Sequence, residues 1–256
     1  MKRLSLRLAV LCCLLLCCLP AAAQTLFAYS TIDALLSGSY DGELTLRQLA
    51  IHGNFGIGTF NHLDGEMILL DGVFYHAHAD GTVSVASPAK RTPLAYVTRF
   101  RPTQTLRTDD TLALGDLEKL IDARLANPNL FYAIRIDGLF ADAAVRAISP
   151  QQRPYKPLAT LVATQSVHQF QSVRGTLVGI RSPAFSKGIS VPGYHWHLLT
   201  ADRRQGGHVL RLTLSSGSVR IATLSDFTVQ LPRSDEFAHS DQTKDRTDET
   251  RRVEGR

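Results

Sequence analysis

The chain has little cysteine, and all of it lies at one end. Cys12, Cys13, Cys17 and Cys18 are the only four in 256 residues. They fall within MKRLSLRLAVLCCLLLCCLPAAAQ, residues 1–24. That stretch has a positive start (Lys2, Arg3, Arg7), an apolar run and the small residues Ala21, Ala22 and Ala23. It is the pattern of a secretory signal peptide, with cleavage expected after Ala23 and a secreted or periplasmic product. An apolar run of about a dozen residues is short of the roughly 20 that span a bilayer. The paired cysteines are compatible with lipoprotein processing, but no small residue precedes the first of either pair.

Each further absence removes a class of protein. Without cysteine after residue 24, the exported chain has no disulfide framework, no thiolate nucleophile and no thiolate metal ligand. Its core must hold it, which about 230 residues can supply. No later segment is long and apolar enough for a membrane helix. The formal charge of +5 owes three units to Lys2, Arg3 and Arg7, leaving +2 and no basic cluster for nucleic acid. The glycines of residues 51–60 lack the strand–turn–helix setting and spacing of a dinucleotide site, so a bent strand or loop is expected there. Internal repeats are absent.

What is present reads as α+β. Residues 30–36 suggest a short capped helix, and residues 44–49 carry leucines at 44, 46 and 49. Asp71-Gly72 and Asp80-Gly81 separate three apolar stretches, predicting a β-meander over residues 66–85. Residues 112–125 carry Leu114, Leu117, Leu120, Ile121 and Leu125 at helical spacing, closed by Pro128. Strands are expected at 131–136 (ending at Asp137-Gly138), 174–180, 193–200, 208–215 and 219–224, with a short helix at 158–164. Prolines at 150, 154 and 157 suggest a connection between halves. The expected organisation is an N-terminal α+β domain (24–150), a C-terminal β-rich metal-binding domain (151–233) and a polar tail (234–256). The two β-rich halves, with mixed or antiparallel sheets and a few short helices, would pack as one compact two-domain unit.

The strongest local signal is Gly193-Tyr194-His195-Trp196-His197-Leu198, followed by a polar, Gly-rich turn and His208. In a strand, positions i and i+2 share a face, so His195 and His197 would project together. A reversal over residues 201–207 can bring His208 beside them. Three neutral imidazoles with an open fourth position are the ligand set of a catalytic zinc site, although imidazole also suits iron, copper and nickel. His76 and His78 repeat the spacing without a third histidine after a turn, and are expected on an ordinary exposed strand face. His168 and His239 stand alone and are expected to be structural or solvated.

Several stretches together resemble the α-acetolactate decarboxylase family. They are Leu63-Asp64-Gly65-Glu66 with Met67 to Gly72, Thr92-Pro93-Leu94-Ala95-Tyr96-Val97, Phe131-Tyr132-Ala133-Ile134-Arg135-Ile136-Asp137-Gly138, and Gly193-Tyr194-His195-Trp196-His197 with Gly206-Gly207-His208. They occur in the family's order and cover essentially the whole chain after the leader. The resemblance implies that His195, His197 and His208 bind Zn2+ and that Glu66, Arg146 and Glu254 are catalytic. Glu254 would be carried back to the metal site by the tail, with Phe237 and Val253 as apolar anchors. Around Arg146 the sequence departs from the family's pattern, with Ala147-Ile148-Ser149 where a further polar residue is usual. No role is assigned to Arg135.

The resemblance also implies the reaction: 2-acetolactate loses CO2 to give (R)-acetoin. The electrons left behind pass to the adjacent ketone as an enediolate stabilised by the metal as Lewis acid, and a glutamate protonates it. Which glutamate does so is open at this point. No organic cofactor is called for. The substrate is a small molecule, with no nucleic acid and no membrane after leader cleavage, and the resemblance is compatible with a homodimer. Two other readings use the same histidines: a cupin-like oxygenase, or an exported binding protein without catalysis.

Overall fold

The computed structural model describes residues 23–255, so the leader proposed for residues 1–23 lies, apart from Ala23, outside the described residues. In chain order the elements begin β1 (Thr25–Tyr29), α1 (Ile32–Ser37), β2 (Leu44–Thr45), α2 (Leu46–Leu49), β3 (Phe55–Thr59), β4 (Glu66–Leu70), β5 (Val73–Ala77), β6 (Val83–Val85), β7 (Arg91–Thr92) and β8 (Ala95–Thr98). They continue β9 (Gln104–Thr108), β10 (Leu112–Ala113), α3 (Leu114–Asp122), β11 (Phe131–Ala147), α4 (Leu158–Leu161), β12 (Ser166–Ser182), β13 (Gly193–Thr200), β14 (Gly206–Leu224) and β15 (Asp226–Gln230). Two short helices, α5 (Asp235–Ala238) and α6 (Thr247–Val253), close the chain. Strands dominate, as expected. No helix among the described residues is long and apolar enough to cross a membrane.

Two large sheets carry the structure. The first runs β15-β1-β8-β3-β4-β5-β6, antiparallel except where β15 lies parallel to β1. The meander is β4, β5 and β6, with Asp71 and Gly72 both at positive φ in the first turn. The second sheet is antiparallel, built from β9 to β14. In it β13 pairs with β12 along its length and also with the first residues of β14, so the sheet closes on itself at that end.

Sheet membership does not follow the proline-rich segment at 150–157. Strands β9, β10 and β11 precede it but belong to the second sheet, and β15 follows it but joins the first. The reason is β11 itself, a 17-residue strand hydrogen-bonded to β12 on one side and β14 on the other.

Three apolar clusters define the layers. Phe27, Leu46, Leu49, Met67, Leu69 and Phe74 cover the outer face of the first sheet, with α2 contributing two of them. Leu117 and Ile121 of α3 pack with Ile134, Leu177, Trp196 and Ile221 inside the curled second sheet. Between the sheets, Ile57, Ile68 and Tyr96 meet Ala133, Val178, Ile180 and Leu224. Each buried aliphatic side chain contributes roughly 1.5–3 kcal/mol relative to exposure. β4 shows the alternation directly: Glu66, Ile68 and Leu70 face inward while Met67 and Leu69 face out.

Several elements differ from the sequence reading. The helix expected over 112–125 is shorter, because Leu112 and Ala113 pair with Leu214 and Thr213 instead. Residues 51–60, expected as a bent strand or loop, do carry a strand, β3, and it is buried along its length. Asp137-Gly138 does not end a strand; β11 runs through it to Ala147. There Gly138 lies opposite Gly175 and Gly217, and a Cβ on it would stand 2.6 Å from the Ser216 carbonyl oxygen. The glycine serves close strand packing rather than a turn. The strands at 208–215 and 219–224 likewise merge into one, β14.

Arg135, left without a role by the sequence, is structural. Its Nε donates to Asp137 Oδ2 at 2.8 Å, and Thr176 Oγ1 donates to Asp137 Oδ1 at 2.8 Å, with Arg220 as a third donor. Burial raises the Asp137 pKa, but the three donors outweigh it and hold the carboxyl below its ordinary value. Its stabilising contribution is therefore complete above the ordinary aspartate range and lost as pH falls through the lowered folded value. Asp137→Asn is expected to cost roughly 1.5–3 kcal/mol, measured as a shift of the urea midpoint at neutral pH that shrinks in acid.

Candidate active site

Glu66, Arg146, His195, His208 and Glu254, drawn from both sheets and the end of the C-terminal helix, line a cavity of about 40 Å3, and His197 stands beside them. Along β13, Tyr194, Trp196 and Leu198 point to the inner core, leaving His195 and His197 on the opposite face. Tyr194 Oη donates to Asp122 Oδ1 (2.7 Å) and Trp196 Nε1 to Glu118 Oε1 (3.0 Å), both on α3, which locks that alternation. His208 lies directly opposite His197 across the β13–β14 ladder, as the expected reversal requires. The ring centroids are 5.1 Å (195–197), 5.0 Å (195–208) and 5.5 Å (197–208) apart.

Two irregularities aim the other partners. On β14, Val209 and Leu212 are three residues apart yet face the same core, which a regular two-residue period forbids. The register slips there, so His208 faces the cavity. On β11, Phe140 and Ala143 repeat the pattern across another slip, and Arg146 faces the cavity as a result. Such bulges re-aim side chains and are frequent beside active sites.

Glu66 enters from the first residue of β4. Its Oε1 accepts from Arg146 Nη1 at 3.4 Å, and its Oε2 lies 3.6 Å from His197 Nε2. Glu254 comes from the residue after α6, with Oε2 3.8 Å from His208 Nε2. Arg146 Nη2 donates to the Val253 carbonyl at 3.2 Å, so one guanidinium binds Glu66 and the tail together. Glu66, Arg146, His197, His208 and Glu254 are all buried, and Val253 is only 3% exposed. The tail, read as polar from its composition, is thus anchored at Val253, one of the two residues named for it, while Phe237, the other, is only half-buried.

Two carboxylates and one guanidinium share this buried space. Burial, followed by the charge of Glu254, raises the Glu66 pKa against the opposing pull of Arg146, to about 7. Burial, then His195, drives the His197 pKa well below its ordinary value, so its imidazole is neutral. His197 Nδ1 contacts the Met67 carbonyl at 3.0 Å. A carbonyl accepts, so the proton is on Nδ1 and the Nε2 lone pair points into the site. Among the described residues Nε2 has no hydrogen-bond partner. A buried neutral imidazole whose tautomer is set by a backbone carbonyl is the form that binds metal. His195, His197 and His208 each offer a nitrogen within 4.8 Å of the others, so they could hold a metal ion. Such an ion would also balance the excess of carboxylates.

The second histidine pair differs from its expected exposed face. His76 is 1% exposed, with its ring centroid 4.1 Å from that of Phe60. Asp64, His76 and His78 could also hold a metal by spacing. However, Lys90 Nζ stands 3.0 Å from His76 Nδ1 and 3.3 Å from Asp64 Oδ2, placing an ammonium between them. The sequence reading missed that lysine, and it missed the Met67 and Val253 carbonyls. Backbone carbonyls leave no mark on residue identity, and the lysine is far from either histidine in the chain. His168 and His239 have ordinary backbone carbonyl contacts, at Ala79 and Asp235.

Three histidines, His197 and His208 buried and His195 partly exposed, flanked by an arginine and two carboxylates between two sheets, form a candidate enzyme centre able to hold one metal ion. Residues 26–244 match the family model described as alpha-acetolactate decarboxylase. A protein of that name from Methanosarcina mazei is 42% identical over 233 residues, covering 91% of this chain and 81% of its own. The one from Bacillus subtilis strain 168 is 42% identical over 212 residues, 83% of each chain. The crystal structure of alpha-acetolactate decarboxylase from Bacillus subtilis strain 168 superposes with a TM-score of 0.89 at 39% identity, covering 91% of this chain and all of the other. The chain belongs to the alpha-acetolactate decarboxylase family, whose members are carboxy-lyases.

Proposed function

We propose that the protein decarboxylates 2-acetolactate to (R)-acetoin, with zinc held by His195, His197 and His208. The convergence of Arg146, Glu66 and Glu254 on the three imidazoles carries this reading. A metal bound there supplies Lewis-acid stabilisation of the negative charge that develops next to the breaking bond. No particular observation favours the oxygenase or binding-protein readings.

The side chains have separable tasks. Arg146 orients the anionic substrate: its Nε is buried and, among the described residues, has no hydrogen-bond partner. A guanidinium offers fixed, planar donors to a carboxylate or alkoxide. Cleavage of the carbon–carboxylate bond leaves an electron pair that moves onto the neighbouring ketone oxygen, and CO2 departs. Glu66 or Glu254 then delivers a proton to one face of the resulting carbon–carbon double bond, which restores the ketone and yields one enantiomer. The small cavity, lined by Leu63, Leu94, Ile148 and Val253, limits the water that could protonate either face. The leader at residues 1–23 supports action outside the cytoplasm.

The test is incubation of purified protein with racemic 2-acetolactate, following acetoin and CO2. Acetoin is expected from the metal-loaded protein, with loss on chelation and recovery on adding zinc. Metal-loaded protein that makes none would reject the reading, as would bound iron with strict oxygen dependence.

A further inference from the structure

The chain reaches Glu66 by an unusual path. His62, Leu63 and Gly65 have φ of 65, 55 and 70°, so two residues with side chains occupy the left-handed region just before the strand. Such conformations are disfavoured and persist only where the surroundings impose them. Three contacts close around this turn. Thr59 Oγ1 donates to the Gly65 carbonyl at 2.6 Å, and the Gly65 amide donates to the Ile148 carbonyl at 3.0 Å. The third comes from His76, whose Nε2 lies 2.6 Å from the Asp64 carbonyl oxygen.

The proton on His76 can be assigned. Lys90 Nζ lies 3.0 Å from Nδ1, and an ammonium only donates. Nδ1 therefore accepts, Nε2 carries the hydrogen, and Nε2 donates to the Asp64 carbonyl. Phe60 packs against the ring, and β5 places His76 opposite Met67, one residue past Glu66. The ring also confines the turn sterically, since a Cβ on Gly65 would come within 3.1 Å of Nε2.

We propose that His76 is a positioning residue for Glu66. Locked by Lys90 and Phe60, it grips the peptide two residues before Glu66 and so fixes the carboxylate against Arg146 and His197. The proposal rests on the reading that Glu66 takes part in the reaction. Without the grip the Asp64–Gly65 peptide can rotate, and a carboxylate displaced by about 1 Å can cost about 100-fold in rate.

Four variants test it in the full chain: His76→Phe, His76→Gln, Glu66→Gln and the double variant His76→Phe with Glu66→Gln. Phenylalanine keeps a packed ring without the donor, and glutamine restores a donor near the Nε2 position. His76→Phe is expected to lower kcat about 10- to 100-fold, with KM changed by less than about 2-fold, bound metal unchanged and the acetoin less enantiomerically pure. His76→Gln should recover most of kcat. The double variant should be no slower than Glu66→Gln, because His76 acts through Glu66. Wild-type kcat in His76→Phe, or losses that multiply in the double variant, would overturn the proposal. Wild-type turnover in Glu66→Gln would instead overturn the reading of Glu66. If His76→Phe does not fold, Lys90→Met serves: it frees the tautomer and should lower kcat several-fold, and an unchanged kcat would overturn the proposal.

Discussion

His197→Ala is expected to lower kcat/KM for acetoin formation by about 1000-fold or more. Lewis-acid stabilisation is worth several kcal/mol, and about 4 kcal/mol corresponds to about three powers of ten. His197 is the informative candidate ligand because its environment is the most specialised. It is fully buried, its burial keeps it neutral, and the Met67 carbonyl orients it. The variant loses one hydrogen bond and leaves a small cavity, a cost of roughly 1–3 kcal/mol that a domain of this size tolerates. Folding should therefore persist by circular dichroism while bound metal falls below one per chain. Chelated wild-type protein should reproduce the defect and regain activity with zinc, whereas His197→Ala should not. A variant that keeps full turnover would remove His197 from the site.

Deleting residues 248–256 should nearly abolish turnover while leaving metal bound. The deletion removes most of α6, the buried Val253 and Glu254, but none of the three histidines. Loss of a positioned proton donor costs about 100- to 10,000-fold. Opening the cavity also admits water, and Arg146 loses the Val253 carbonyl that it binds. Glu254 lines both the inner cavity and an outer cleft of about 430 Å3 beside α6, so the deletion merges the two. Glu254→Gln separates the effects, because it keeps the helix and its anchor and removes only the ionisable group. Full activity in the truncated protein would exclude a role for Glu254. Loss of metal in it would show that the tail helps retain the ion.

Much of this site was legible along the chain. The period of two in Gly193-Tyr194-His195-Trp196-His197 put both histidines on one face, and the turn after Thr200 implied a return at His208. The paired Asp-Gly turns marked the meander. Other signals misled for a physical reason. Asp137-Gly138 has turn composition, but its aspartate binds two arginines and its glycine meets two more glycines across the ladder. Prolines at 150–157 marked a connection, while sheet membership was decided by long strands reaching past it. His76 and His78 looked exposed because alternation reports a face, not what covers it.

The sequence by itself determined the β-rich class, the absence of cysteine after residue 24 and the shared face of His195 and His197, because these depend on composition and on local period, whereas Glu66, Arg146 and Glu254 were named only by the resemblance to the family. Only the tertiary structure decided which way Arg146 and His208 point. Even-numbered residues of β11 up to Phe140, and of β14 from Leu212 to Leu214, face the inner core. Simple alternation would have sent Arg146 and His208 there too. Register slips between the strands reverse them toward Glu66 and Glu254. A slip arises from how three strands pair at once, and no short stretch of one strand encodes it. The seating of Val253 against the cavity is non-local in the same way, since it depends on an arginine 107 residues earlier in the chain.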